Sequence, residues 1–202
     1  MLSLQEGTKA IRFSRQIIQD YLQQMHTSAS DLGPSFHEAQ GVFVTLHTFP
    51  EHELRGCIGI PLPIMPLQDA IIESAQSVTR DPRFPPLLLT ELDLILIEIS
   101  ILTKPERVTV HTPKDYLAQI VIGKDGLLVE QSVYKGLLLP QVPVEQAWTI
   151  EEYLSHACMK AGLPPDAWFE NATRISTFQG QIFTEVEPHG HVKELHLHGS
   201  HD

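Results

Sequence analysis

The stretch GVFVTLHTFPEHELRGCIGI, residues 41–60, predicts a β-hairpin. Residues 41–48 and 53–60 are rich in side chains that favour strands, and the FPEH segment between them is short enough to form the loop. If Thr48 lies opposite Leu54, one face of the hairpin becomes almost wholly aliphatic, because strand side chains alternate between faces. The other face then collects a mostly polar set: His47, Thr45 and Phe43 opposite Arg55, Cys57 and Gly59.

Helices flank the predicted hairpin. Over residues 4–25 the apolar residues recur at steps of three and four, which indicates an amphipathic helix. Turn-forming residues fill 26–35, which predicts a loop. Residues 67–79 predict a second helix, and this helix must end near Asp81 because Pro82 disfavours helical geometry in the residue before it.

The second half of the chain mixes short strands with one further helix. The run LDLILIEISIL, residues 92–102, predicts a central strand, in which Glu98 needs a partner or solvent because its neighbours are aliphatic. Residues 120–131 predict two short strands around a turn at 124–126. Residues 136–148 predict a strand that passes into a proline-broken loop.

The chain is predicted to close with a helix and a strand. Residues 149–161 predict a helix that Gly162 ends, and residues 175–188 predict the last strand. Strands and helices alternate without regular βαβ units, and no GxGxxG fingerprint is present. The sequence therefore predicts an α+β fold with mixed or antiparallel sheets flanked by helices.

The composition of the 202 residues limits the classes of function. Apolar residues make up 42% and charged residues 19%, which is typical of a globular chain. The net charge of −11 disfavours binding to nucleic acid and to anionic membranes, because both are polyanions. No apolar run approaches the roughly 18 residues that span a bilayer, the N-terminus does not resemble a signal peptide, and the two cysteines form no disulfide framework. We expect a cytoplasmic protein.

Cys57 is the strongest candidate for chemistry. Gly56 and Gly59 leave its thiol unshielded and allow a ligand or another backbone to approach closely. Arg55 on the same predicted face would favour the thiolate, and His47 across the hairpin could act as a base. The alternative is that Cys57 packs as a small buried residue, as free cysteines often do.

Two further segments carry candidate ligand-binding residues. Arg80, Asp81 and Arg83 could clamp an anion, or they could form local salt bridges at the end of a helix. A second group, Gln141, Glu145 and Trp148, lies in a predicted loop that leads into a helix. The alternative for this group is turn prolines and a packed tryptophan.

No strong metal signal is present. The tail, residues 189–202, contains five histidines, but a terminal segment of this kind is typically flexible and binds metal adventitiously. Cys158 falls on the apolar face of the last predicted helix and is interpreted as a core residue. No CxxC or HxxxH spacing links it to Cys57. We assign no metal ligands, and the sequence does not determine whether a cofactor is needed.

Several segments, taken in order, resemble the AMMECR family: GVFVTL, LRGCIG, PLQDAI, DPRFPPL, EISILTKPE, IGKDGLLV, GLLLPQVPVEQAW and CMKAGL. The resemblance runs from the first helix to about Glu187, and LRGCIG and LLLPQVP are its most specific segments. It implies one domain over residues 1–188, with an α+β fold of two subdomains and an intervening cleft. The chain departs from many relatives at Glu53 and at residues 77–80.

The resemblance also implies partners, which are a Memo-like protein and a radical SAM protein in prokaryotes. It strengthens the candidacy of Cys57, because the LRGCIG motif falls on residues 54–59. Two main hypotheses follow for the function, beside a weaker one of a metal-handling subunit built on Cys57 and histidines. One is a cysteine-dependent enzyme or enzyme subunit that uses Cys57, Arg55 and His47. The other is a non-enzymatic adaptor that binds a small molecule or a peptide near Cys57 and residues 141–148.

Overall fold

The computed structural model describes residues 1–25 and 30–195, which form two units. The first unit contains residues 1–102 and 181–195, and the second contains residues 103–180. The helices are α1 (Leu4–Leu22), α2 (Leu67–Val78), α3 (Tyr116–Gln119), α4 (Gln141–Glu145) and α5 (Ile150–Lys160). The strands are β1 (Gly41–Thr48), β2 (Leu54–Ile60), β3 (Ile95–Leu102), β4 (Glu106–Arg107), β5 (Gly126–Gln131), β6 (Tyr134–Leu138), β7 (Arg174–Phe178), β8 (Gly180–Glu185) and β9 (Val192–Leu195).

The first unit is built on a five-stranded sheet of order β2-β1-β3-β8-β9. Its aliphatic face carries Val44, Leu46 and Ile97, and α1 and α2 pack on that face to form the core. The predicted hairpin pairs as expected from Val42 opposite Ile60 to Leu46 opposite Gly56. The predicted central strand is β3, which is paired on both sides.

A buried ion pair joins α1 to this sheet. The Arg15 guanidinium binds the Glu185 carboxylate, and it also donates to the carbonyls of Leu92 and Ile95 at 2.8 and 2.9 Å. Glu185 accepts a further hydrogen bond from the Ile97 N–H at 2.9 Å. Because each buried charge has several partners, the pair offsets much of its desolvation cost.

The second unit is built on an antiparallel sheet of order β4-β7-β5-β6, with α5 packed against β5 and β6. Thr149 and Glu152 form a capping box at the start of α5, and Gly162, with φ of 80°, ends it as predicted. A Cβ atom on Gly136 would lie 2.3 Å from the Ala161 nitrogen. The end of α5 therefore packs directly on β6.

Several sequence predictions are wrong in detail. Residues 120–122 do not form a strand; the chain turns at 122–124, where the Asp125 carboxylate accepts the Val121 N–H at 2.9 Å. Residues 141–145 form the short helix α4 instead of a loop, and Pro143 is tolerated there because it lies in the first turn. The predicted last strand, 175–188, is two strands, β7 and β8, in different sheets.

The ends of two other predicted segments also differ. The first helix ends at Leu22, three residues before the predicted end, and residues 26–29 of the predicted loop lie outside the described residues. Part of the predicted flexible tail is a strand, because β9 pairs with β8 from Val192 opposite Glu185 to Leu195 opposite Ile182. His196, His198 and His201 lie outside the described residues. None of the described helices combines the length and apolar character that crossing a bilayer requires.

Candidate functional site

Cys57 lies on β2, the edge strand of the first sheet, directly opposite Thr45. The Thr45 hydroxyl donates a hydrogen bond to the Cys57 sulfur at 3.3 Å. The residue is half-buried, so its thiol is not a sealed core group. The prediction that Cys57 belongs to the polar face of the hairpin is confirmed.

The peptide of Cys57 is held from outside the sheet by two side chains. Asp81 Oδ2 accepts the Cys57 N–H at 2.9 Å, and Arg83 Nη2 donates to the Cys57 carbonyl at 3.0 Å. An edge strand presents unpaired N–H and C=O groups, and these must be satisfied or covered. At Cys57, Asp81 and Arg83 take the place of a neighbouring strand.

The segment after α2 positions this pair. The Asp81 carboxylate accepts the Arg83 N–H at 3.0 Å, which forms an Asx turn just beyond the end of α2. The same carboxylate binds the Arg83 guanidinium in two places, at 3.0 Å to Nε and 2.7 Å to Nη2. The Asp81 side chain is 1% exposed, whereas that of Arg83 is 55% exposed. The Arg83 charge therefore reaches solvent.

The electrostatics of the pair follow from these contacts. The Arg83 guanidinium, with the N–H groups of Cys57 and Arg83, holds the pKa of the Asp81 carboxyl well below its ordinary value. Asp81 in turn raises the pKa of Arg83, and the sulfur of Cys57 contributes in the same direction. Asp81 is ionised at neutral pH, and the Arg83 cation lies beside Cys57.

Arg55 does not lie where the sequence predicts. A β-bulge between Leu46 and His47 makes Arg55 an extra residue, so that His47 lies opposite Leu54 instead. The Arg55 guanidinium binds Glu91 at 2.9 and 3.2 Å and the Pro85 carbonyl at 3.0 Å. Its charge is therefore used to fix residues 85–91 against β2, and it is not directed at the thiol.

His47 lies on the same sheet face as Cys57 but contacts a different group. Its Nε2 lies 3.9 Å from Glu98 Oε2, and both side chains are about three-quarters or more buried. Interaction with the Glu98 carboxylate raises the pKa of His47 above its ordinary value. His47 and Glu98 line a cavity of about 290 Å³ that also contains Lys193. Among the described residues, His47 makes no hydrogen bond with the Cys57 thiol, so the predicted contact is not observed.

The remaining predicted residues near the hairpin have packing roles. A Cβ atom on Gly56 would meet the end of α2, 3.2 Å from the Val78 carbonyl oxygen. A Cβ atom on Gly59 would lie 2.3 Å from the Val42 carbonyl oxygen. Arg80 places its guanidinium 5.2 Å from the ring centre of Tyr21. Gly59 is required for close packing, and Gly56 lies in a tight contact with the end of α2.

The second predicted group lies in the other unit. Gln141 and Glu145 belong to α4, and Trp148 stacks on His156 with ring centres 3.8 Å apart and planes 2° from parallel. Trp148 is thus a packed tryptophan, as the alternative interpretation held. No described contact links these residues to a polar cluster comparable to that of Cys57.

The structure brings together Cys57, Asp81 and Arg83 from the predicted set and adds Thr45, which the sequence reasoning did not select. The signal for Thr45 was its predicted position opposite Cys57. Within residues 1–25 and 30–195, no three histidine, cysteine or acidic side chains converge in a way that could hold a metal ion. In the tail region, His189 binds Asp93 at 2.9 Å.

The chain is similar to several archaeal proteins. It is 54% identical over 198 residues to protein MJ0810 of Methanocaldococcus jannaschii, covering 98% of each chain. It is 47% identical over 200 residues to protein MK0488 of Methanopyrus kandleri, covering 97% of this chain and 96% of that protein.

A solved structure shows the same fold. The crystal structure of the uncharacterized protein PH0010 from Pyrococcus horikoshii matches with a TM-score of 0.83 and 43% identity, covering 96% of this chain and 98% of that chain. The family model described as AMMECR1 matches residues 11–183, which include β1, β2 and the Asp81–Arg83 segment. The chain belongs to the AMMECR1 family.

Proposed function

We propose that the chain is a cysteine-dependent enzyme, or a subunit of one, in which Cys57 is the nucleophile and Arg83 binds an anionic group of the substrate. The observation that carries the proposal is the setting of Cys57. Both polar atoms of its peptide are held by Asp81 and Arg83, while its half-buried thiol lies beside the Thr45 hydroxyl. A fixed backbone at a partly exposed cysteine suits a nucleophile.

Arg83 supports the anionic character of the substrate. Its Nε and Nη2 bind Asp81 and Cys57, but its Nη1 makes no hydrogen bond with any described residue. Because the side chain is 55% exposed, the outer edge of the guanidinium is open to solvent. The free Nη1 group can donate to a carboxylate or phosphate oxygen, so a bound anion would lie next to Cys57.

The covalent step is a displacement at an electrophilic carbon of the substrate. The thiol proton goes to solvent water, and the sulfur forms a bond to the carbon with its own electron pair. The bond from that carbon to the leaving group breaks, and the leaving group departs with the bonding electrons. The hydrogen bond that the Thr45 hydroxyl donates to the sulfur holds the sulfur in place during this step.

The experiment compares two alkylating reagents that differ in charge. Iodoacetate and iodoacetamide both form a bond between sulfur and carbon and release iodide, but only iodoacetate is an anion. We expect Cys57 to react with both in the native protein, and Arg83→Gln to slow iodoacetate several-fold more than iodoacetamide. Arg83→Lys should restore part of the difference, because it keeps the positive charge.

Arg55→Gln is the matched control, since it also removes a guanidinium that is paired with a carboxylate: Arg55 lies on β2 and binds Glu91. It should change both rates equally, because the Arg55 charge is directed at Glu91. If native Cys57 reacts with neither reagent, the enzyme proposal is wrong and the adaptor alternative is favoured. If Arg83→Gln slows both reagents equally, Arg83 does not bind the anion.

The resemblance to the family supports the proposal that the enzyme has two partners, a Memo-like protein and a radical SAM protein from the same genome. Co-expression with a tagged copy of this chain and size-exclusion chromatography would test the association. A stable complex that Arg83→Gln leaves intact would separate assembly from substrate binding. Elution of the tagged chain alone, at concentrations where each partner is folded, would count against these partners.

A further inference from the structure

The second unit contains a cavity of about 310 Å³ that plays no part in the surroundings of Cys57. It lies between the end of β4, residues 108–113 and the turn around Trp168. Its volume is at the lower end of the roughly 300–1,000 Å³ of small-molecule sites. We propose that this cavity binds a small monocarboxylate with an aromatic body, which Arg107 and Tyr116 hold by its carboxylate.

Tyr116 provides the first argument. It is 7% exposed and lines the cavity, yet its hydroxyl makes no hydrogen bond with any described residue. Tyr153, the other buried tyrosine of this unit, has its hydroxyl 3.1 Å from the carbonyl oxygens of both Asp125 and Leu138. The Tyr116 hydroxyl, unlike that of Tyr153, is not a sealed atom but is open to the cavity, so it is available to a ligand.

Arg107 provides the second argument. It is exposed at the cavity, and no carboxylate of the described residues lies within ion-pair distance of its guanidinium. Arg107 and Tyr116 line the same cavity; burial raises the pKa of Tyr116, and the Arg107 charge acts in the opposite direction. The carboxylate of Glu170, on the cavity wall, accepts a hydrogen bond from Gln131 at 2.7 Å.

The balance of charge selects a monoanion. One arginine can bind one carboxylate through two parallel hydrogen bonds, and a tyrosine hydroxyl can donate a third. A dianionic phosphate would leave one negative charge without a partner while Glu170 lies on the same wall. The cavity therefore fits a carboxylate better than a phosphate.

The apolar part of the wall suits a flat apolar body, while Thr109, Thr112 and Asn171 make the remainder polar. Trp168 is 4% exposed and lines the cavity, together with Val108, Val110 and Pro113. Apolar and aromatic side chains of this kind gain by covering a ring, because both surfaces leave water. Phenylacetate has the required carboxylate and ring, and phenylacetamide is its neutral counterpart of nearly equal shape.

The test is a fluorescence titration of the full chain carrying Trp148→Phe, so that Trp168 is the remaining tryptophan. We expect phenylacetate to change the Trp168 emission in a saturable manner, with phenylacetamide binding at least about tenfold more weakly. Arg107→Gln should weaken phenylacetate about tenfold and leave phenylacetamide unchanged. Tyr116→Phe should weaken phenylacetate by a smaller factor, because it removes a single hydrogen bond.

Arg174→Gln is the matched control, since Arg174 is an exposed arginine of the same sheet that does not line the cavity. It should leave the phenylacetate titration unchanged. The proposal is overturned if phenylacetate does not saturate, if the acid and the amide bind equally, or if Arg174→Gln weakens binding as much as Arg107→Gln. Circular dichroism of each variant separates lost binding from lost folding.

Discussion

The two cysteines of the chain occupy opposite kinds of environment. Cys158 lies inside α5 in the core of the second unit, is completely buried, and has its pKa raised to about 11 by that burial. Cys57 lies half-buried on an edge strand, with a hydroxyl at its sulfur and two charged side chains on its peptide. The Cys158 thiol packs among apolar side chains, whereas the Cys57 thiol accepts a hydrogen bond.

This difference shows what distinguishes a structural cysteine from a candidate nucleophile. Burial alone is enough to make Cys158 inert, because the thiolate is disfavoured and reagents are excluded. At Cys57, the side chains of Asp81 and Arg83 satisfy and fix the peptide of that residue. Such an arrangement costs a buried carboxylate, which a packing role would not require.

The largest expected effect is the difference in reactivity between the two thiols. With iodoacetamide at pH 7 and 25 °C, we expect Cys57 to be alkylated in the native protein at least about 1,000-fold faster than Cys158, because Cys158 reacts only when its unit opens. Mass spectrometry of timed digests measures the two rates separately. In urea the two rates should converge. Equal alkylation rates in the native protein would show that the two thiols do not differ in reactivity.

The next effect concerns Asp81. Asp81→Asn weakens the hold on Arg83 and on the Cys57 N–H, and we expect it to lower the free energy of unfolding by about 2 kcal/mol. Urea denaturation followed by far-UV circular dichroism is the appropriate measurement, since both tryptophans lie in the second unit. Asp93→Asn, which alters an exposed pair with His189, should change it by less than about 0.5 kcal/mol.

The pH dependence of this effect has a definite sign. The folded-state pKa of Asp81 is depressed, so its contribution is present above the unfolded value of about 3.9 and is lost as the pH falls below it. The difference between wild type and Asp81→Asn should therefore shrink from pH 7 to pH 3. A difference that stays constant over this range would show that the ion pair does not stabilise the site.

A smaller effect is the difference in the free energy of unfolding between serine variants of the two cysteines. Cys158→Ser places a hydroxyl in an apolar core and should cost about 1–2 kcal/mol, whereas Cys57→Ser should change the free energy of unfolding by less than about 0.5 kcal/mol. Urea denaturation followed by circular dichroism compares both variants. Cys158→Ala controls for lost volume. A larger cost at Cys57 than at Cys158 would mean that Cys57 is the packing residue.

The hairpin shows how far the sequence could predict the site. Alternation of aliphatic residues predicted the register from Val42 to Leu46 correctly, because a one-residue slip would bury polar groups. The bulge was not predictable, since one extra residue at Arg55 leaves that alternation unchanged. The roles proposed for Arg55 and His47 depended on the register beyond the bulge, and the contacts predicted for both were therefore wrong.

The Asp81–Arg83 segment shows a second limit. Its residue types predicted either an anion clamp or local salt bridges, and the structure contains the salt bridge. The contact with Cys57, 24 to 26 residues away in sequence, depends on how the end of α2 packs against β2. Local propensities carry no signal for such a tertiary contact. The short helix α4 was missed for a related reason, because its two central valines and one proline favour other structures.

The smallest expected effect tests whether the sheet face beside Cys57 responds to pH through His47. The folded-state pKa of His47 is raised by Glu98, so its contribution is present below the unfolded value of about 6.5 and is lost as the pH rises through the higher folded value. Glu98→Gln should cost about 0.5 kcal/mol more at pH 5.5 than at pH 8.5. His47→Gln controls for other titrating groups, including Lys193 and His52, which line the same cavity. In that background the pH-dependent part should vanish, and its persistence would assign the effect to a different group than His47.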